Sequence, residues 1–189
     1  MKNGGSIWVL LLLVASVMAG CGNEGYLAEA GGRDALRVMR DTARNRLWVL
    51  GLEGVQVYDT RNNRLIRKVE LPGWSVARYV CPPDIALDRS GSAYISSNVL
   101  SKLWLVDAGS FKVEERPITL HDREQWDVGF GALAFAADGT LFALTTSAGS
   151  SWRIDYGKGS ARMVELNAAY LNVCDLTPQI LNNLERKKP

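Results

Sequence analysis

The 189-residue chain predicts an all-β fold: about three repeats of four short antiparallel strands, followed by a short C-terminal helix. Asp59, Asp107 and Asp155 stand at equal intervals of 48 residues. Each closes a run with strand character: Val55-Gln56-Val57-Tyr58-Asp59, Leu103-Trp104-Leu105-Val106-Asp107 and Trp152-Arg153-Ile154-Asp155. A fixed period of this size marks a chain built from stacked structural repeats. Turn residues recur upstream of each aspartate, at Arg44-Asn45, Ser90-Gly91 and Asp138-Gly139.

The unit can be read strand by strand. The first strand covers residues 36–39, 85–87 and 132–135 in the three units. After the turn, the second covers 47–50, 93–95 and 141–144. Asp138-Gly139 between two apolar runs predicts a type I′ hairpin, because glycine tolerates the positive φ such a turn requires. The third strand ends at the repeat aspartate, whose carboxylate is suited to accept backbone N–H bonds from the following turn. The fourth covers 65–71, 111–120 and 161–166. Four antiparallel strands in roughly 40–50 residues make one propeller blade. The units span about 35–73, 82–121 and 131–167, within a repeat domain of 35–175.

The stretch LWVLGLEGVQVYDTRNNRLIRKVELPG, from Leu47 to Gly73, resembles a blade of the YVTN/NHL-type β-propeller repeats. In those families a V-x-V-x-D-T-x-x-N stretch ends the third strand. The second and third units keep the aspartate but follow it with Ala108 and Tyr156. The resemblance covers residues 35–167 and implies a fold rather than an activity, since propellers host many unrelated functions.

Three blades fall short of the four a closed ring needs. Beyond the third unit only residues 171–174 have strand character. Thr177-Pro178 then supplies an N-cap and N1 pair, with Ile180, Leu181 and Leu184 on one helical face. Segment 176–189 is therefore expected to be a helix and tail that covers an exposed flank of the repeats. Otherwise a partner covers the flank, or the chain is a remnant of a longer propeller protein.

Lys2, an apolar run over 7–15 and the small residues before Cys21 form an export signal rather than a membrane span. Met18-Ala19-Gly20-Cys21 resembles the bacterial lipobox, which implies cleavage after residue 20 and lipidation of Cys21. Gly22 after the cysteine implies outer-membrane retention, with the protein facing the periplasm. Residues 21–34 read as a tether rich in Gly, Glu and Ala. The formal charge of +2 lacks a basic block of the kind that nucleic-acid binding requires.

In an oxidising compartment Cys81 and Cys174 could form a bridge. Lying nearly two repeats apart, however, they read better as two small buried thiols, because a bridge needs Cα atoms within about 7 Å. Trp104 and Trp152 share one phase of the repeat and are expected between blades. Connections between units should share one face with the loops between strands two and three. That face would collect Trp74, Arg78, Tyr79, Asn98, His121, Asp122, Arg123, Glu124, Trp126 and Asp127. Aromatics beside arginine have the composition of an interface hot spot, although local packing over the core edge accounts for them at least as well.

His121 is the single histidine, so a multi-histidine metal site is excluded, and no metal or cofactor is expected. Asp88-Arg89-Ser90-Gly91 reads as a hairpin turn rather than a calcium loop. The favoured reading is a lipid-anchored periplasmic binding or scaffolding module with a protein partner or self-association. The alternative is a calcium-dependent lactonase-like propeller hydrolase, for which Asp84, Asn98 and Asp127 are the available ligands.

Overall fold

The computed structural model describes residues 34–77, 81–121, 128–146, 149–164, 174, 176–178 and 181. Among these, three sheets follow one another along the chain. Blade 1 comprises β1 (Ala35–Asp41), β2 (Arg46–Gly51), β3 (Gly54–Asp59) and β4 (Arg64–Val69), paired in that order. Blade 2 comprises β5 (Ile85–Leu87), β6 (Ala93–Ser96), β7 (Lys102–Val106) and β8 (Val113–Pro117). A short strand, β9 (Thr119–His121), follows. Blade 3 then comprises β10 (Phe130–Phe135), β11 (Leu141–Thr145), β12 (Ser151–Asp155) and β13 (Ser160–Met163). The protein is thus a partial β-propeller of three blades.

The fourth strand of the second unit departs from the expected single run over 111–120. It breaks after Pro117, whose nitrogen has no hydrogen to extend the ladder. The chain crosses over at Ile118, and β9 joins blade 3 in parallel with β13, pairing Thr119, Leu120 and His121 with Ser160, Ala161 and Arg162. Blade 3 therefore has five strands. Residues 171–173 lie outside the described residues, as does most of the segment expected to be helical. Within that segment the Leu181 N–H donates to the Thr177 carbonyl at 3.1 Å.

Turn geometry repeats with the chain. In the first hairpin of each blade Asn45, Gly91 and Gly139 have positive φ, and in the last hairpin Asn63, Phe111 and Gly159 do. Asp138-Gly139 is not the two-residue type I′ turn expected from sequence. Only Gly139 has positive φ, and Ala136 pairs with Thr140 across a three-residue loop. Such a loop needs one left-handed residue at its end, which glycine or asparagine supplies at low steric cost.

Alternation along the strands sends successive side chains to opposite faces, and this partitions the core. Trp48, Leu50, Val55 and Val57 of blade 1 meet Ile85, Ile95, Trp104 and Val106 of blade 2. Ala86 and Leu103 of blade 2 meet Leu133, Leu141, Trp152 and Ile154 of blade 3. Trp104 and Trp152 are thus the inter-blade residues their shared phase predicts. Blade 1 has Gln56 at that phase, facing away from blade 2, next to Val55 and Val57, which face it. Arginines latch each blade to the turns of the next: Arg46 to the Ala108 carbonyl, Arg89 to the Ala137 carbonyl, and Arg116 to the Tyr156 and Gly157 carbonyls at 2.7 and 2.5 Å.

The far face of blade 3 carries Ala132, Ala134, Phe142 and Leu144, packed with Leu176 and Leu181. The latter two are 4 % and 1 % exposed. The C-terminal segment therefore covers the apolar inner part of the face a fourth blade would have occupied.

Cys81 and Cys174 are bridged, with Cα atoms 5.1 Å apart, which corrects the expectation of two free thiols. That expectation placed Cys174 at the start of a fourth repeat. Instead the chain folds back toward the first strands, where the Arg37 guanidinium bonds the Cys174 carbonyl. β10 passes so close to the bridge that a Cβ on Gly131 would lie 2.4 Å from the Cys81 Cβ.

Asp84, 8 % exposed, joins all three blades. One carboxylate oxygen accepts the Ile85 N–H at 2.8 Å and lies 3.3 Å from Arg37 Nε of β1. The other accepts the Leu133 N–H of β10 at 2.9 Å. Its backbone exchanges bonds with Ser96 of β6: the Asp84 N–H donates to Ser96 Oγ at 2.7 Å, and the Ser96 N–H donates to the Asp84 carbonyl at 2.9 Å.

Two predictions follow from these ties. Asp84→Ala leaves two buried N–H groups without their acceptor and the Arg37 guanidinium without its ion-pair partner, and should cost about 3–5 kcal/mol in urea denaturation. Asp84→Asn, which retains an acceptor, should cost less. A Cys81→Ser/Cys174→Ser double variant should lose about 2–4 kcal/mol, and reductant should shift the native protein by a similar amount but leave the variant unmoved.

Candidate binding site

The three repeat aspartates cap the turns that follow them. Asp59 accepts the Arg61 N–H at 2.9 Å. Asp107 accepts the N–H groups of Gly109 and Ser110 at 3.2 and 2.7 Å and the Ser110 hydroxyl at 2.7 Å. Asp155 accepts the Lys158 N–H at 3.1 Å. The bond from the Arg61 side chain brings the Asp59 carboxyl down to about 2. The Ser110 hydroxyl lowers that of Asp107, and the Lys158 ammonium that of Asp155.

The residues expected on one interaction face do not all assemble there. Arg78, Tyr79, Asp122, Arg123, Glu124, Trp126 and Asp127 lie outside the described residues. Trp74 is half-buried, its indole N–H donating to the Leu52 carbonyl at 3.0 Å and its ring set edge-on to Trp104 at 5.3 Å. Asn98, expected to be exposed, is 4 % exposed. Its amide donates to the Ala77 and Cys81 carbonyls at 2.7 and 2.9 Å and accepts the Ala77 N–H at 3.2 Å. An asparagine in a loop can brace two neighbouring backbone segments in this way, and sequence alone does not distinguish that role from exposure. His121 is exposed, but it lies at the outer edge of blade 3, on β9.

His121 borders a depression of about 700 Å³, also lined by Tyr94, Phe135, Arg153, Lys158 and Arg162. Strand register brings its basic groups together. Phe142 of β11 pairs with Arg153 of β12, Arg153 with Arg162 of β13, and Arg162 with His121 of β9. Their sequence neighbours Trp152, Ile154, Ala161 and Leu120 point into the interface with blade 2. The row Arg153, Arg162 and His121 therefore faces the other way, beyond the patch covered by Leu176 and Leu181.

Like charges directly opposite each other in a sheet are destabilising. Among the described residues neither Arg153 nor Arg162 has a hydrogen bond or an ion pair. Asp138, which accepts the Thr140 N–H at 2.7 Å, and Asp155, which pairs with the Lys158 ammonium at 3.1 Å, also feel the Arg153 charge, which helps hold their carboxyls low. The aromatic wall is held rigidly. Tyr94 packs edge-on against Phe135 and Tyr156, each at 5.1 Å, and Arg116 lies over the Tyr156 ring. Burial and the nearby Glu114 charge push the Tyr156 phenol up to about 12, so it stays protonated and donates to the Glu114 carbonyl at 3.2 Å. These rings lie on the blade 2 side of the sheet and the arginines on its outward face, so the arginine row is what presents charge to an anion.

Comparison with known structures supports the fold. Hydrazine synthase of Kuenenia stuttgartiensis is similar over 68 % of this chain and 34 % of its own, with 15 % identity and a TM-score of 0.50. Virginiamycin B lyase of Staphylococcus aureus, a catalytically inactive variant with quinupristin, is similar over 70 % of this chain and 41 % of its own, with 13 % identity and a TM-score of 0.52. The chain thus spans well under half the length of either structure. No protein family and no curated protein matches the sequence. The fold and its neighbours define a β-propeller-type repeat protein.

Two outcomes test these assignments. Arg162→Gln removes a like-charge opposition and should raise the melting temperature slightly, where most substitutions lower it. The repeat aspartates have depressed carboxyl pKa values, so their contribution is complete above the unfolded value and lost as pH falls through the folded one. For Asp59 that window runs from 3.8 down to about 2. Asp59→Asn, Asp107→Asn and Asp155→Asn should each lower the urea midpoint at neutral pH and flatten its decline in acid.

Proposed function

We propose that the protein is a lipid-anchored binding module of the bacterial cell envelope, with the three blades as a rigid scaffold and the blade 3 depression as its binding site. The observation that carries the reading is the Arg153–Arg162 pair. Its like charges are directly opposed and exposed on the outward face of blade 3, an arrangement that favours an anion between them. The Cys81–Cys174 bridge supports an oxidising compartment, since such bridges persist outside the cytosol. Met18-Ala19-Gly20-Cys21 supports lipidation at Cys21 and attachment to the outer membrane, facing the periplasm. The lactonase-like alternative is weakened at two of its three carboxylate and amide positions. Asp84 spends both oxygens on the blade junction, and Asn98 its amide on backbone.

Cys21→Ser tests the anchor. The variant should leave the membrane fraction and lose labelling by a fatty-acid probe. Partition with membranes at the level of the unsubstituted protein would remove the lipoprotein reading.

A further inference from the structure

We propose that the depression on blade 3 binds a phosphate group, held between the Arg153 and Arg162 guanidiniums with His121 at its rim. The inference names the ligand chemistry of the binding module above and rests on that reading. Its geometry comes from the sheet. Arg153 and Arg162 are direct cross-strand partners, so their backbones are about 4.8 Å apart and their planar forks can straddle one tetrahedral anion. Arg162 and His121 are partners in turn, which extends the basic row to the blade edge. The Thr140 and Ser160 side chains also line the depression. Of its charged lining groups, Arg153, Lys158 and Arg162 are cationic and Asp155 anionic, and Lys158 neutralises Asp155. The lining thus carries more positive than negative charge, with Arg153 also acting on Asp155 and Asp138.

A volume of about 700 Å³ exceeds what a lone phosphate fills. It falls within the range of small-molecule sites, about 300–1,000 Å³. The ligand should therefore carry its phosphate on a larger body. Two sources share this chemistry: a soluble phosphorylated compound and a phospholipid headgroup. Arginine is the side chain suited to either, because it binds phosphate oxygens bidentately and stays charged at any physiological pH.

The test uses the full chain carrying Cys21→Ser, so that a lipid anchor does not contribute. One arm titrates inorganic pyrophosphate at constant ionic strength by calorimetry. The other measures co-sedimentation with vesicles of phosphatidylglycerol in phosphatidylcholine against phosphatidylcholine alone. Arg153→Gln/Arg162→Gln should weaken binding about tenfold or more, whereas Lys112→Gln on blade 2 should leave it unchanged. Pyrophosphate binding lost in the double variant assigns a soluble ligand. Vesicle binding alone, lost in the same variant, assigns a headgroup. Binding in neither arm, or binding equally reduced by Lys112→Gln, overturns the site. Thermal melting of the double variant, measured alongside, separates loss of binding from loss of fold. Fractionation of Cys21→Ser is independent of this result, so the anchor and the phosphate site can fail separately.

Discussion

The Asp84 carboxylate is the constraint on which the three blades depend. Propeller sheets pack face to face through apolar side chains, and such contacts are not directional. Three stacked sheets could slide or fan without losing much buried area. A carboxylate whose two oxygens accept from Ile85 and Leu133, with the Arg37 guanidinium beside it, fixes the first strands of all three blades relative to one another. The same Arg37 bonds the Cys174 carbonyl, so the C-terminal segment is tied to that junction as well. The disulfide then closes a loop of about ninety residues around blades 2 and 3, which restricts the unfolded chain more than a local bridge would.

A partial propeller must protect two end faces, and this chain treats them differently. On blade 1 the position that holds tryptophan in the other blades holds Gln56, paired with Lys68, so the outward face is partly polar. On blade 3 the inner half of the outward face is apolar and is covered by Leu176 and Leu181. The outer half is basic. Capping repeats with polar outer faces are the usual way a repeat array ends without aggregating. The basic row on blade 3 goes beyond that requirement, because solvation needs polar side chains but not two arginines in direct opposition.

Phe111 shows how the repeat overrides local preference. It has a φ of 56°, a conformation that bulky residues rarely adopt, at the position where the other blades have Asn63 and Gly159. Its ring is held near the Arg46 and Arg67 guanidiniums, at 5.1 and 5.8 Å, and near Trp48. These contacts offset a backbone geometry the residue would not choose alone, and local propensity contains no trace of them.

The sequence by itself determined the all-β class, the 48-residue repeat, the strands ending at Asp59, Asp107 and Asp155, and the inter-blade placement of Trp104 and Trp152. Each of these follows from spacing or alternation, which are properties of the chain alone. Tertiary structure decided what depends on distant segments meeting. The Cys81–Cys174 bridge requires the chain to fold back toward the first strands, and spacing in repeats pointed the other way. The departure of β9 to blade 3 turns on one proline and the available edge of β13. His121 was visible as a singular residue, but Arg153 and Arg162 were ordinary surface arginines until β12 paired with β13 and β9 joined them. The register of three strands, separated in sequence by turns and crossovers, is what places their charges in one row.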